Sequence, residues 1–493
     1  MSCLSASMRT TVSALVVLSQ WHEPALCQCV AIVSSPIAAS LCAGDAMPEK
    51  AVTAIDARHQ YSLGELIDIG ERNNPQTRIA WERAKQSARA LGIEKSEYFP
   101  VLVGETLFAE ERAVQPFPKP LSSGGYTVAD LILLEPELEV QYLLFDFGGR
   151  KARLDAAKAQ ALATGALFIK ANQDVAYAIS SEYYILLTAQ ERLQASTETL
   201  KTAQTTQDAA EARLANGRAT VPDVLNARAE TAQAAFDLET ADGDEKIARV
   251  TLAEAIGIEP TPDISIDARR NAPLPKALAL PIDQLIERAM GDRPDLMAQM
   301  LEIQRADAEI RTAESEYKPK FELSAKAAQT IGWPTLVYPS GQLGYANVTT
   351  WSAALTAEWT IFDGGARKNR TALAESEKRQ AVDELRDKRD QAQREVWSGY
   401  IAFRTALRQE EAAVALLDAA QTSYSASLDA YNNGVKNLVD VVTAEKQLAL
   451  ARLSSVAARS RLFTQAVQLE FVTGNLLRSS SPAATIQGKD IHR

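Results

Sequence analysis

Beyond residue 42 the chain of 493 residues has no cysteine: Cys3, Cys27, Cys29 and Cys42 are the full complement. A chain cut after that region can form no disulfide and no thiolate metal cluster, which suits an exported protein that avoids stray cross-links. Histidine is nearly absent as well. His22 lies in the leader, His59 in an N-terminal stretch expected to be flexible, and His492 in the tail, so no zinc or copper ligand set is in sight. No phosphate-cradling glycine loop or nucleophile elbow occurs, so neither an enzymatic role nor a cofactor is expected. Past the N-terminal region no segment approaches the roughly 18 to 20 uninterrupted apolar residues of a membrane-spanning helix. If the chain crosses a bilayer, it does so with strands. Basic charge is in deficit, with 52 Lys and Arg against 63 Asp and Glu, a net charge of -11 and a pI near 5.1. That balance argues against a nucleic-acid partner. It fits a solvated surface or a cation-tolerant lumen equally well.

What is present begins with an export signal over residues 1–46: Arg9 precedes the apolar run Val12–Leu18, and small residues follow from Ala25 to Ala43. Trp21-His22-Glu23-Pro24 makes the signal irregular. The start is open to Met8, and cleavage to the neighbourhood of Ser40, Ala43 or Ala46. Cys27, Cys29 and Cys42 follow Leu26, Gln28 and Leu41 rather than the small residue of a lipoprotein site, which argues against a lipid anchor.

The remainder says nearly the same thing twice. Phe145-Asp146-Phe147-Gly148-Gly149-Arg150 returns as Phe362-Asp363-Gly364-Gly365-Ala366-Arg367, and Asn216-Gly217 with Asp223 returns as Asn433-Gly434 with Asp440, at an offset of 217 (362 − 145). Asn74-Pro75 is answered by Arg293-Pro294, and Tyr98-Phe99-Pro100 by Tyr317-Lys318-Pro319, at an offset of 219 (293 − 74). The slip places a loop of changed length between Pro100 and Phe145. This is a duplicated domain-sized unit rather than a solenoid. The expected layout is a first repeat over 60–256, a Pro-rich linker over 257–281 (Pro260, Pro262, Pro273, Pro275, Pro281), a second repeat over 282–475 and a disordered tail over 476–493.

Arg150 to Asn216, and again Ala366 to Asn433, contain no proline and one glycine each, Gly165 and Gly399. Each predicts a helix of about 67 residues, roughly 100 Å long. In the second, Val396, Tyr400, Phe403, Leu407, Val414 and Leu417 fall at coiled-coil spacing. Asn-Gly then reverses the chain into an amphipathic partner helix, from about Pro222 to Ile256 and Leu438 to Thr473. Upstream the period is two. Leu138, Val140, Tyr142 and Leu144 alternate with Glu137, Glu139 and Gln141, and Trp351, Ala353, Leu355, Ala357, Trp359 and Ile361 alternate with Ser352, Ala354, Thr356, Glu358 and Thr360. Such strands suit a half-buried soluble sheet or a barrel wall between lipid and a watery lumen; the tryptophans and the export signal favour the barrel. Each repeat then runs helix, two strands, long helix, shorter helix. Four strands per chain cannot close a barrel, so several chains must contribute. Asp146 and Asp363 are placed to cap the coming helices. Met290, Met297 and Met300 cluster on one predicted helix, open to a metal relay but better explained as core filling.

The ordered marks Asn74-Pro75, Arg293-Pro294-Asp295-Leu296, the two Phe-Asp turns and the tips Gly217–Ala227 and Gly434–Ala444 resemble the TolC-like outer membrane efflux family, over roughly residues 60 to 475. The resemblance implies a mixed α/β membrane protein. Three chains would build a 12-stranded β-barrel, four strands each, in the outer membrane of a Gram-negative bacterium, continuing into a 12-helix α-barrel in the periplasm. It implies an exit duct for a tripartite efflux pump or type I secretion system, with outer membrane lipid, a periplasmic adaptor protein and an inner membrane pump or ABC exporter as partners, and cargo chosen mainly by that pump. Carried over by position, Tyr431 and Lys436 would bind Asp223 and hold the tube shut, Asp440 would form a ring at the pore entrance, and the tips at Gly217 and Gly434 would meet the adaptor. Thr443 stands where the family has a second acidic ring, so only modest cation selectivity is implied. Asp223 and Asp440 also sit where helix caps belong, each in a first turn after a glycine break. A periplasmic or surface coiled-coil scaffold is the alternative to a channel.

Overall fold

The computed structural model describes residues 56, 58–119, 122–260, 264–267, 280–338, 341–342, 345–474 and 476. The signal expected over 1–46 and all but Leu476 of the expected tail lie outside them.

A two-residue strand, β1 (Gln60–Tyr61), leads into helix α1 (Leu63–Asn73), which opens with a capping box between Ser62 and Glu65. Pro75 ends it, because the residue before a proline is pushed out of helical geometry. Asn74 is accordingly extended, and its side chain caps α2 (Pro75–Ser96) by accepting from Gln76 N at 2.8 Å. Strands β2 (Val101–Pro116) and β3 (Tyr126–Phe145) follow, then the long hairpin of α3 (Gly149–Ala215) and α4 (Val221–Ile256), then β4 (Ser265–Ile266). The order returns as α5 (Ile282–Asp292), α6 (Pro294–Ser315), β5 (Lys320–Tyr338), β6 (Gly341–Gln342), β7 (Ala346–Glu358), α7 (Ala366–Asn432) and α8 (Leu438–Val472).

Four expectations change. The single helix ahead of each strand pair is two helices, broken at Asn74-Pro75 and Arg293-Pro294, so Met290 lies on a different helix from Met297 and Met300. The linker is pinned to the first repeat: β4 pairs in parallel with β1, and Ile264 and Ile266 are buried beside Tyr61. The second repeat carries an extra two-residue strand, β6, paired with β5. β7 stops at Glu358, the partner of Lys320 where β5 begins, so no strand remains to pair with Trp359, Thr360 and Ile361; the Trp359 indole instead donates to Tyr317 O at 3.1 Å.

The long strands form an antiparallel sheet in the order β2-β3-β5-β7. Register sorts its side chains by face. Gly104, Leu138, Ala327 and Trp351 make one rung, beside Tyr142, Leu323 and Leu355, on a mainly apolar side. The opposite side carries Glu105, Glu135, Glu137, Glu139 and Glu322, with Lys326 ion-paired to Glu137. Both sides are open to solvent in one chain, with Trp351 80% exposed.

At each strand-to-helix turn the N-cap is a left-handed glycine, Gly148 or Gly365. The aspartate caps from two residues further back: Asp146 accepts from Arg150 N, and Asp363 accepts from Gly365 N at 3.0 Å and Arg367 N at 2.9 Å. Both long helices are 67 residues. Burial repeats every seven residues, mostly on small side chains: Leu385, Ala392, Gly399, Ala406, Ala413, Ala420 and Ser427 on α7, and Ala227, Ala234, Ala241 and Ala248 on the partner helix α4. The seam of α7 therefore runs through alanines rather than through Val414, which stays 53% exposed, because small residues let the backbones approach closely. Val396 and Phe403 are fully buried and anchor the second repeat's core with Leu462 and Leu469. Each such side chain contributes about 1.5–3 kcal/mol. No helix of the described residues is long and apolar enough to cross a membrane.

Candidate functional site

The two hairpin tips hold every site residue singled out by the sequence. Each long helix ends in the same hydrogen-bonded turn. Gly217, at φ 69°, donates to Leu214 O at 2.9 Å while Arg218 N reaches Arg213 O at 2.8 Å; Gly434, at φ 79°, donates to Tyr431 O at 2.9 Å while Val435 N reaches Ala430 O at 2.8 Å. An L side chain is strained at such φ, which is why glycine stands at both places.

The returning helices begin with capping boxes, and these engage both aspartates. Asp223 accepts from Thr220 N at 2.9 Å and Thr220 Oγ at 2.7 Å, and the Thr220 backbone bond foremost holds its carboxyl below the usual carboxylate range. Asp440 accepts from Asn437 N at 3.3 Å and donates its own N–H to Asn437 Oδ1 at 2.9 Å. Thr443 is exposed and donates to Val439 O within its own helix.

Tyr431 is 4% exposed and packs with Ala210, Val224, Leu438 and Val441, so it does reach the first hairpin. Its hydroxyl has no hydrogen-bond partner among the described residues. Burial pushes the phenol's pKa up, the Arg213 cation pulls it down, and the nearby Asp223 carboxylate pushes it up again. Lys436 lies apart from Asp223 in the hydrogen-bonding pattern: its ammonium donates to Ser427 Oγ at 3.1 Å. One chain thus brings Tyr431 within electrostatic reach of Asp223 and leaves Lys436 on its own hairpin.

Two residues at this end were not singled out by the sequence. The Arg213 guanidinium lies 4.4 Å from the Tyr431 ring centroid and donates to Tyr431 O. Its sequence signal is a departure from the repeat, since the position 217 residues on is Ala430. Further along the bundle Glu445 is buried, accepting from Thr206 Oγ at 2.8 Å, with Tyr424 OH 3.3 Å from that hydroxyl. Burial foremost pushes its pKa up, Glu230 adds to the rise, and Thr206, Lys446 and Arg452 oppose it. A glutamate on the apolar side of α8 is the sequence signal that could have found it.

Among the described residues no group of His, Cys, Asp and Glu is arranged to hold a metal. Met290 packs into the core, whereas Met300 faces out, which disperses the methionine cluster. At the tips the two hairpins are joined through Tyr431 and Arg213.

Comparison with known proteins agrees with that architecture. A family model described as "Outer membrane efflux protein" matches residues 131–258 and 285–475, covering parts of both repeats. Protein CyaE of Bordetella pertussis is 25% identical over 427 residues, 86% of each chain. The solvent efflux pump outer membrane protein SrpC of Pseudomonas putida is 25% identical over 402 residues, 78% of this chain and 79% of its own. The crystal structure of the outer membrane protein VceC from Vibrio cholerae superposes with a TM-score of 0.69 at 20% identity, over 84% of this chain and 96% of that one.

Proposed function

The chain belongs to the outer membrane efflux protein family, and from that premise we propose that it is a passive exit duct in the outer membrane, three chains closing one barrel and one periplasmic tube. The observation that carries the proposal is the four-stranded sheet with one apolar and one acidic face and two unpaired long edges, β2 and β7. The smallest membrane barrels need about eight strands. Three chains supply twelve, with the apolar face toward lipid and the glutamates toward the lumen. A scaffold with a soluble sheet would leave Trp351, Leu355 and Phe108 in water.

The duct works with a periplasmic adaptor and an inner membrane transporter, which makes the choice of cargo. Its similarity to a protein described as part of a solvent efflux pump supports that partnership. The exposed glycine turns at Gly217 and Gly434 are the surfaces offered to the adaptor. At rest the tube is shut by Tyr431 and Lys436 on Asp223. The support is twofold: Asp223 already acts on the Tyr431 phenol, and Lys436 holds only a neutral serine hydroxyl that a carboxylate can replace. Asp440, exposed at the mouth of its hairpin, forms the entrance ring in threefold repeat, with Thr443 adding no second charge. At about 7 Å apart, ring carboxylates would repel by roughly 2 to 3 kcal/mol per pair at an effective dielectric near 20, so a cation is attracted there.

Tyr431→Phe combined with Lys436→Ser should raise single-channel conductance in planar bilayers, since a charge-assisted bond of about 1 to 3 kcal/mol is removed three times over. Unchanged conductance would leave Asp223 with the capping role alone.

A further inference from the structure

Arg213 stands at a junction that the carried-over gate residues do not include. From the last turn of α3 it crosses to the other hairpin, places its guanidinium on the Tyr431 ring and donates to Tyr431 O. That carbonyl, which also accepts from Gly434 N at 2.9 Å, lies in the C-terminal turn of α7, where the helix dipole makes a cation favourable. One nitrogen, Nη2, lies 3.8 Å from the place a Cβ on Gly434 would take, so the guanidinium also rests against the second tip's turn. Its Nε is buried with no hydrogen-bond partner among the described residues, an arrangement kept only if the rest of the contact compensates.

We propose that Arg213 is the latch within each chain, holding the second hairpin tip to the first through the ring and terminal carbonyl of Tyr431. The inference rests on the gated-duct reading and adds to it a contact that does not use the tyrosine hydroxyl, Lys436 or Asp223. The duplication makes the latch one-sided. The repeat mates of Arg213 and Tyr431 are Ala430 and Leu214, at the same offset of 217 (430 − 213 and 431 − 214), so the reverse contact, from the second hairpin to the next chain's first, has neither cation nor aromatic ring. The latch therefore acts within chains alone, and its release frees the second hairpin tip to move away from the first.

The test uses the full protein, with assembly checked by cross-linking in detergent and single-channel conductance read in planar bilayers. Arg213→Ala should raise mean conductance roughly two- to fivefold, the lower end of the weight of an aromatic-cation contact. Arg213→Lys should fall between, because an ammonium keeps the charge and loses the planar fork. Tyr431→Phe keeps ring and carbonyl, so Arg213→Ala should have its full effect in that background, and a reduced one beside Tyr431→Ala. If Arg213→Ala fails to assemble, Arg213→Lys and Arg213→Gln carry the same comparison. Assembled channels whose conductance ignores residue 213, or an effect undiminished beside Tyr431→Ala, overturn the latch. An unsubstituted protein that never conducts overturns the duct reading itself, and the latch with it.

Discussion

Asn74 Nδ2 donates to Ala255 O at 2.8 Å while its Oδ1 accepts from Gln76 N, so one side chain starts α2 and finishes α4. Gly257 makes the approach possible: at φ 79° it would bring any Cβ to 2.7 Å from Asn74 Cα. The second repeat does the same work with other chemistry. Arg293 donates to Val472 O at 3.3 Å, is held by Asp295 at 2.7 Å and Glu395 at 2.6 Å, and meets Gly474 where the first repeat has Gly257. Burial pushes the Asp295 carboxyl up, but the Arg293 guanidinium outweighs it and leaves the pKa lowered. Asn74→Ala removes a cap and a buried bond, about 1–2 kcal/mol. Amide hydrogen exchange across residues 74–80 and 250–257 should quicken by roughly 5- to 30-fold, with the second repeat unchanged. The sequence marked Asn74-Pro75 and Arg293-Pro294 as equivalent because proline is visible in one dimension. The carbonyls they close are about 180 residues away, and nothing local to the motif points to them.

Element by element, what was legible is what local chemistry decides. Long proline-free runs gave long helices, Asn-Gly gave the reversals, and period two gave the antiparallel strands, whose faces carry the residues the alternation assigned. The seam was read in part: Val396 and Phe403 are buried and Tyr400, Leu407 and Leu417 pack against the core, but Val414 stays exposed because close packing takes the alanines beside it. The same closeness makes Glu445 costly. Its pKa is raised in the folded state, so its contribution to stability is fully present below the unfolded value near 4.3 and is lost as pH rises through the higher folded one. Glu445→Gln should raise the melting temperature of the detergent-solubilised protein at pH 7.5 and leave it nearly unchanged at pH 4. Equal shifts at both pH values would mean that packing, not charge, sets the difference. Arg213 was missed for a related reason: its worth lies in a ring on the other hairpin, and only its failure to repeat hinted at it.

On the scale of the whole molecule, the proposed trimer predicts that cross-linking in detergent traps a three-chain species; a stable lone chain would refute it. The sheet order gives that prediction its force. Because β3 pairs with β5, the duplication is sewn shut inside each chain, and among the described residues the long open edges of the sheet are β2 and β7. Strand β2, 16 residues long, is a template for whatever extended chain arrives first. Hydrogen bonding therefore demands closure without fixing the number: two chains would already supply eight strands, and in the proposed trimer β2 of each chain meets β7 of the next. Until the proposed ring closes, its wall is adhesive, so the yield of ducts should rise steeply with the local supply of new chains, and a surplus should be lost to aggregation rather than held in reserve.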